Sequence, residues 1–473
     1  MDPTTNRISL CSGGASETFI LEFETSSTDN PSGNDVASSV DYGSTGDIYV
    51  SFTTYTTNSN GDSDAGLTKI NKTGTNILWG LKWDWSGEAD QALIVKITRN
   101  DNDYVYLGGS TGDSVGYQSS SRQQCSLKKL DPGTGAQEWA TVWGSGGSDD
   151  IVGMDFLANG NPVITGLSYP WQSGMQIDSF NATTGANVWA TKRDAFTTES
   201  ATTVKIDSSD NVWWGCTDQN AALGDVWIAK VNNQGTFQQG RTISYSGDQF
   251  KGMDLDSNGD LIVHIQNDGS WTSTDGTINL HSPFVMKYDT SADSWLWAYI
   301  CGQNNEQNWV YGICVDRTTD DSYSIARSNG FTGQSAAGLF VVKRNSSGTL
   351  VWARNFCKNN GKYIQTEGRR ENIVCDGEYI IFVGSYERDS SSSTRPFLVK
   401  YPVDGSITGT FGDWTITDLS TDNAFINDTN DRIANWTKST NNGWNVGNTR
   451  SVRTNNQGLA VGKMTLHNRE PIS

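Results

Sequence analysis

Three histidines, His264, His281 and His467, are the only imidazoles in the chain, and none stands beside a Ser or Cys motif. No GxSxG occurs, so a Ser/His/Asp triad has no strand-to-helix turn on which to present its nucleophile. Most aspartates fall in Asn- and Gly-rich segments, and no carboxylate pair stands out as a general acid and base. The segment DLDSNGD places Asp254, Asp256, Asn258 and Asp260 at alternating positions, like the first half of a calcium loop. Ile265, however, occupies the place of the bidentate Glu. The run GSGGS at 144–148 lacks the strand before and helix after that phosphate binding requires. Seven cysteines are scattered without a CxxC pair, so neither a zinc site nor a disulfide framework is signalled. The expectation is a protein with no catalytic residues, no metal and no cofactor.

Aromatic side chains in polar surroundings offer a different chemistry. Trp83, Trp85, Tyr169, Trp171, Trp271, Trp309 and Tyr386 lie in or beside long irregular links among Asp, Asn, Ser and Gly. Such rings suit a sugar face or a protein contact, so they are the candidate binding residues. A net charge of −19 repels phosphate backbones and anionic lipid, which argues against nucleic-acid and membrane partners. No stretch approaches 18 consecutive apolar residues. The N-terminus, MDPTTNRISLCSGG, lacks the basic-then-apolar order of a signal peptide, so synthesis in the cytoplasm without export is expected.

The links are separated by a repeat. An apolar strand ends near Lys, a Gly turn follows, and the next strand carries Trp. It reads LTKINKTGTNILW to Trp79, LKKLDPGTGAQEW to Trp139 and IDSFNATTGANVW to Trp189, and it returns with Trp297 and Trp352. The anchor positions are Lys69, Lys129, Ser179, Lys230, Lys287, Lys343, Lys400 and Arg453. Their spacings are 60, 50, 51, 57, 56, 57 and 53, too even for chance. Two further strands precede each anchor, as in VGMDFLANGNPVITG and KGMDLDSNGDLIVHI. Each repeat therefore supplies four short strands, a to d, joined by turns of residues that tolerate left-handed backbone angles.

One four-stranded sheet of this size cannot bury both its faces, whereas sheets stacked radially about an axis can. The predicted fold is all-β: a β-propeller of four-stranded antiparallel blades over residues 35–466. Eight blades are favoured, with seven plus a C-terminal extension as the alternative. Residues 17–25, ETFILEFET, read as an extra c-like closing strand with Glu22 in the Lys position. Residues 1–16 read as a docking arm and 467–473 as a tail. The repeated Trp is expected to fill the gap between blades. The anchor Lys is expected to lay its stem over the sheet with its ammonium in water. Cys314 and Cys375 fall at matching a-strand positions. In an up-and-down blade the long b–c and d–a links share one face of the ring, where binding is expected.

KKLDPGTGAQEW and DSFNATTGANVW resemble the LD-x-x-TG-x-x-x-W repeat of pyrroloquinoline-quinone-type propellers. VWGSGGSDDIVGMDFLANGNPVITG resembles the bacterial SBBP propeller repeat. The resemblance spans about residues 35–466 and implies the fold. The cofactor residues of quinoprotein enzymes do not carry over, because this chain has no adjacent cysteine pair. The Asn/Ser/Thr/Gly-rich, acidic texture is similar to virion proteins of tailed bacteriophages. That likeness implies a non-enzymatic structural protein of the particle, in its tail, baseplate, fibre or capsid. It would contact other virion proteins or a host surface glycan. A bacterial surface adhesin and a propeller enzyme are the rival readings.

Overall fold

The computed structural model describes residues 4–9, 17–24, 35–55, 63–83, 89–99, 102–112, 124–144, 149–168, 175–193, 199–218, 225–244, 248–267, 271–273, 276–278, 281–303, 306–329, 331, 337–359, 363–366, 371–387, 394–422, 425–429 and 446–447. They form a closed ring of seven four-stranded antiparallel blades. Blade 1 runs Val36–Tyr42, Ile48–Tyr55, Ser63–Ile70 and Ile77–Trp83, and blade 2 runs Gln91–Ile97, Val105–Thr111, Gln124–Leu130 and Gln137–Trp143. Blade 3 is Asp149–Phe156, Pro162–Ser168, Met175–Phe180 and Asn187–Arg193, and blade 4 is Glu199–Ile206, Val212–Asp218, Asp225–Val231 and Phe237–Ser244. Blade 5 is Asp248–Leu255, Leu261–Asn267, Ser282–Asp289 and Ser294–Gln303, and blade 6 is Asn308–Asp316, Asp321–Ser328, Gly338–Arg344 and Leu350–Lys358. Blade 7 takes Ile373–Cys375, Tyr379–Glu387 and Thr394–Pro402 from the end of the chain and Phe19–Glu24 from its start. Strand a of each blade lies against strand a of the next, including blade 7 against blade 1.

The expected eight blades are therefore corrected to seven, and the seam gives the reason. The edge of Thr394–Pro402 that would receive its own d strand is held by Phe19–Glu24, with Phe19 opposite Lys400 and Glu22 opposite Phe397. Trp79 faces Lys69 and Trp352 faces Lys343 in the same way. Residues 19–24 are thus the d strand of blade 7, with Phe19 in the Trp position, and not an extra c-like strand with Glu22 in the Lys position.

The chain after Pro402 then runs along the outside of the ring. The hairpin Gly409–Phe411 and Trp414–Asp418 extends blade 6, Phe425–Thr429 extends blade 5, and Val446–Gly447 pairs with blade 3. The N-terminal Thr4–Ser9 likewise adds a fifth strand to blade 7. The last anchor, Arg453, and residues 467–473 lie outside the described residues.

Every junction between blades is clamped. The Trp indole N–H of one blade donates to the c–d turn of the next. Trp79 reaches Pro132 O at 3.1 Å, Trp139 reaches Ala182 O at 3.1 Å and Trp189 reaches Asn233 O at 2.8 Å. Trp297 reaches Ser346 O at 3.1 Å and Trp352 reaches Val403 O at 3.0 Å. Each ring covers the turn glycine of its neighbour. A Cβ at Gly185, whose φ is +68°, would stand 2.7 Å from the Trp139 ring, so both the turn and the packing require glycine there. Blade 4 has Gln239 in the Trp position, and the Arg241–Asp293 ion pair links it to blade 5. At the seam, Phe19 lies over Gly74 while Lys400 donates to Lys72 O at 3.1 Å.

The anchor lysines correct a second expectation. The ammonium groups of Lys69, Lys287, Lys343 and Lys400 are held by protein partners and not by water, while Lys230, 3.9 Å from Asp207, stays partly exposed. Lys69 and Lys343 bond the same neighbouring carbonyls as their Trp partners, both at 3.1 Å, and pair with Asp47 and Asp321. Lys287 is buried against Asp256 at 2.6 Å. The stem covers the sheet as expected, but the head is a structural cross-link. Cys314 and Cys375 are one register apart. Cys314 faces Tyr323, itself opposite Lys343, whereas in blade 7 Val374 faces Ile381, opposite Lys400.

Candidate functional site

The a strands bring one register position from each blade to the ring axis. In chain order these residues are Asp41, Lys96, Asp155, Lys205, Asp254, Cys314 and Val374. The three aspartates work alike. One oxygen accepts the N–H of the following residue. The other accepts an N–H from the next blade: Ile97 from Asp41 at 2.8 Å, Ile206 from Asp155 at 2.8 Å and Val315 from Asp254 at 2.9 Å. Glu371, in the link entering blade 7, reaches across the axis. It pairs with Lys96 and, at 3.3 Å, with Lys205, and accepts from the Thr203 hydroxyl at 3.0 Å. Its carbonyl accepts from the Ser39 hydroxyl at 2.8 Å.

A cavity of about 380 Å³ opens from this cluster past Arg317, Thr318, Asp376 and Gly377, on the face of the a–b turns. Burial would raise the Glu371 carboxyl, but Lys205 and Lys96 outweigh it and hold it below its ordinary value. Burial likewise acts on Asp254, where Lys205 and Arg317 prevail and its carboxyl is lowered. At Asp155 burial prevails and the carboxyl is raised. The charges match one another, so the cluster works as an ionic axle of the ring. Asp256 and Asp260 of the calcium-like segment are engaged with Lys287. Among the described residues no group of three or more His, Cys, Asp or Glu is placed to hold a metal.

The opposite face carries the long b–c and d–a links, and there blades 5, 6 and 7 assemble an aromatic stack. Trp309 is the second residue of the a strand of blade 6 and faces Arg327, near the end of strand b, across the ladder. The Arg327 guanidinium lies 3.7 Å from the centroid of the Trp309 ring and 4.3 Å from that of Tyr363. The other side of Trp309 meets His281, stacked at 5.6 Å and 27°. His281 sits just before strand c of blade 5 in a left-handed backbone conformation, φ 56°, which few residues with a Cβ adopt without compensating contacts. Its Nδ1 is 3.1 Å from Gln266 Nε2, and Gln266 Oε1 accepts from Val310 N–H at 3.2 Å. Ser328 donates to Gln303 at 2.7 Å, and Asn308 accepts from the Gln303 N–H at 3.0 Å. Strand ends and buried amides thus fix the stack.

Of the aromatic residues expected to bind, Trp309 stands in this stack. Trp271 opens a short hairpin, Trp271–Ser273 with Gly276–Ile278, in the b–c link of blade 5. Trp83 is buried between blades 1 and 2, with the Lys128 ammonium 5.5 Å from its ring. Tyr386 is buried against Phe397 and Trp414 at the end of strand b in blade 7. Trp85, Tyr169 and Trp171 lie outside the described residues. Arg327, His281 and Tyr363 were missed, because only the ladder register and the fold bring them to Trp309.

No protein-family signature matches the sequence, and no curated protein matches it. Solved structures do. The chain is similar to an ulvan lyase of a polysaccharide lyase family, at 10% identity and TM-score 0.47, covering 81% of this chain and 96% of that one. It is similar to a periplasmic gluconolactonase of Pseudomonas aeruginosa, at 10% identity and TM-score 0.43, covering 74% and 94%. It is also similar to a quinohemoprotein alcohol dehydrogenase of Comamonas testosteroni, at 10% identity and TM-score 0.39, covering 80% and 77%. The assignment as a β-propeller stands on strand order and register, and these neighbours transfer no activity to this chain.

Proposed function

We propose that this protein is a non-catalytic binding scaffold whose b–c and d–a loop face meets a partner. The observation that carries this reading is the clamping of all seven blade junctions. The repeat's Lys, Trp and Gly are spent on rigidity, and the irregular links are left on a stiff rim. A rigid frame presents loops with little ordering cost on binding. The setting we propose is the particle of a tailed bacteriophage, with other virion proteins or a host surface glycan as partners. Terminal segments laid along outer blade edges, a net charge of −19 and an Asn/Ser/Thr/Gly-rich composition support it.

The test is to isolate the protein from its source under gentle lysis and fractionate by size. Sedimentation with particles, and cross-links from the loop face to a virion protein or to host surface polysaccharide, are the expected result. A free monomer that turns over a small molecule would overturn the reading.

A further inference from the structure

Arg327 differs from the other buried arginines among the described residues. Arg344 donates to Gly348 O and Asn427, and Arg354 donates to Gly405 O, Ala353 O and Asp418. Arg327 is 5% exposed, both of its ring contacts are to π faces, and its Nε, like that of Arg344, has no hydrogen-bond partner; unlike Arg344 and Arg354 it makes no hydrogen bond through its terminal nitrogens among the described residues. No carboxylate is paired with it among the described residues. A guanidinium carries five N–H donors in one plane; the aromatic faces take none of them, and Nε is left buried without an acceptor. Burying a cation with unused donors is costly, and the position invites a group that would use them.

We propose that Arg327 is the anchoring point for a single oxyanion, a carboxylate or sulfate, carried by an otherwise neutral molecule such as a sugar acid. This deepens, and rests on, the reading of the loop face as a binding surface. Trp309 and Tyr363 hold the guanidinium plane, so its open edge can present two parallel N–H groups to a two-oxygen acceptor. His281 supports the far side of Trp309. The chain's net charge of −19 disfavours a polyanion or an acidic protein surface. One anion on a neutral carrier avoids most of that repulsion.

The experiment titrates glucuronate, inorganic sulfate, glucose and a Glu-rich peptide into the wild-type chain, Arg327→Lys and Arg327→Met by calorimetry at low ionic strength, with thermal melting alongside. Glucuronate or sulfate should bind the wild type and not glucose, with at least tenfold weakening in Arg327→Met. Arg327→Lys should weaken as well, because a point charge loses the fork. Arg327→Met should melt at or above the wild-type temperature, since it removes an unspent buried cation. A lower melting temperature in Arg327→Met, rescued by Lys, would make the residue structural and overturn the proposal. Binding of the acidic peptide alone, or of no probe, would overturn it too. If particle or glycan attachment survives while Arg327 variants bind as wild type, only this inference fails and the scaffold reading stands.

Discussion

Asp178, in the third strand of blade 3, is buried with Gln176 donating to it at 2.7 Å. Burial pushes its carboxyl up to about 7, against the bonds from Gln176 and Asn187. In the unfolded chain the same group ionises near pH ~3.9. The fold therefore holds the proton more tightly, and this site's contribution to stability is complete below that pH. It declines by up to about 1.4 kcal/mol per pH unit as the pH rises toward 7, and is level above. Asp178→Asn should raise the melting temperature at pH 8 and have little effect at pH 4. An equal shift at both values would contradict the assignment. His264 titrates in the opposite sense. Burial pushes its imidazole down to about 3, and as a neutral ring its Nδ1–H donates to Gly312 O at 3.1 Å. At this scale the sequence offered Trp309, an aromatic in a polar link. It did not offer Arg327, because an arginine with no carboxylate partner among the described residues looks like any other until its surroundings are assembled.

At the scale of the element, the closing strand carries the most exposed risk. Glu22 sits on Phe19–Glu24 and accepts from Lys358 Nζ at 2.5 Å and from the Trp414 indole at 2.7 Å. Lys358 belongs to blade 6 and Trp414 to the C-terminal hairpin, so both ends of the chain meet at one buried ion pair. Glu22→Gln leaves Lys358 with Asp413 at 2.8 Å, an acid that is 44% exposed. The expected cost is about 3 kcal/mol, as for other buried pairs broken on one side. Hydrogen exchange should rise first in residues 19–24 and 394–402; a uniform rise in all blades would refute a local seam. Truncation after Asp422 should leave the ring intact and expose the amides of Tyr299–Gln303, which now pair with Phe425–Thr429. It also removes Asn427, which accepts from the buried Arg344 at 2.6 Å. The sequence marked residues 17–25 as a ring-closing strand but misjudged its place in the blade. The Trp position was filled by Phe19, and the apolar alternation around Glu22 imitates a c strand.

Across the whole molecule, the axle couples distant parts of the chain. Glu371 joins blade 7 to Lys96 of blade 2 and Lys205 of blade 4. Glu371→Gln would leave two buried cations short of a partner and should lower stability by about 3 kcal/mol, read by urea unfolding. The loss should fall on one cooperative transition, because a closed ring has no terminal repeat from which to fray. Separate transitions for different blades would count against the closed wheel.

Strand content, the four-strand repeat and the packing role of its Trp and Gly are local facts. They follow from alternating apolar residues, turn chemistry and regular spacing, so the sequence by itself determined them. Blade number was different. The order of strands around the ring is settled only when the edge of residues 394–402 chooses its partner, and Phe19–Glu24 takes it from nearly four hundred residues away. The chain after Pro402 kept strand-like sequence, which reads like an eighth blade, but its free edges were already outside the ring. The axle and the Arg327 stack were decided the same way. Charges and rings that stand 18 to 275 residues apart become neighbours only because a closed ring brings equivalent positions to one axis and loop ends to one rim.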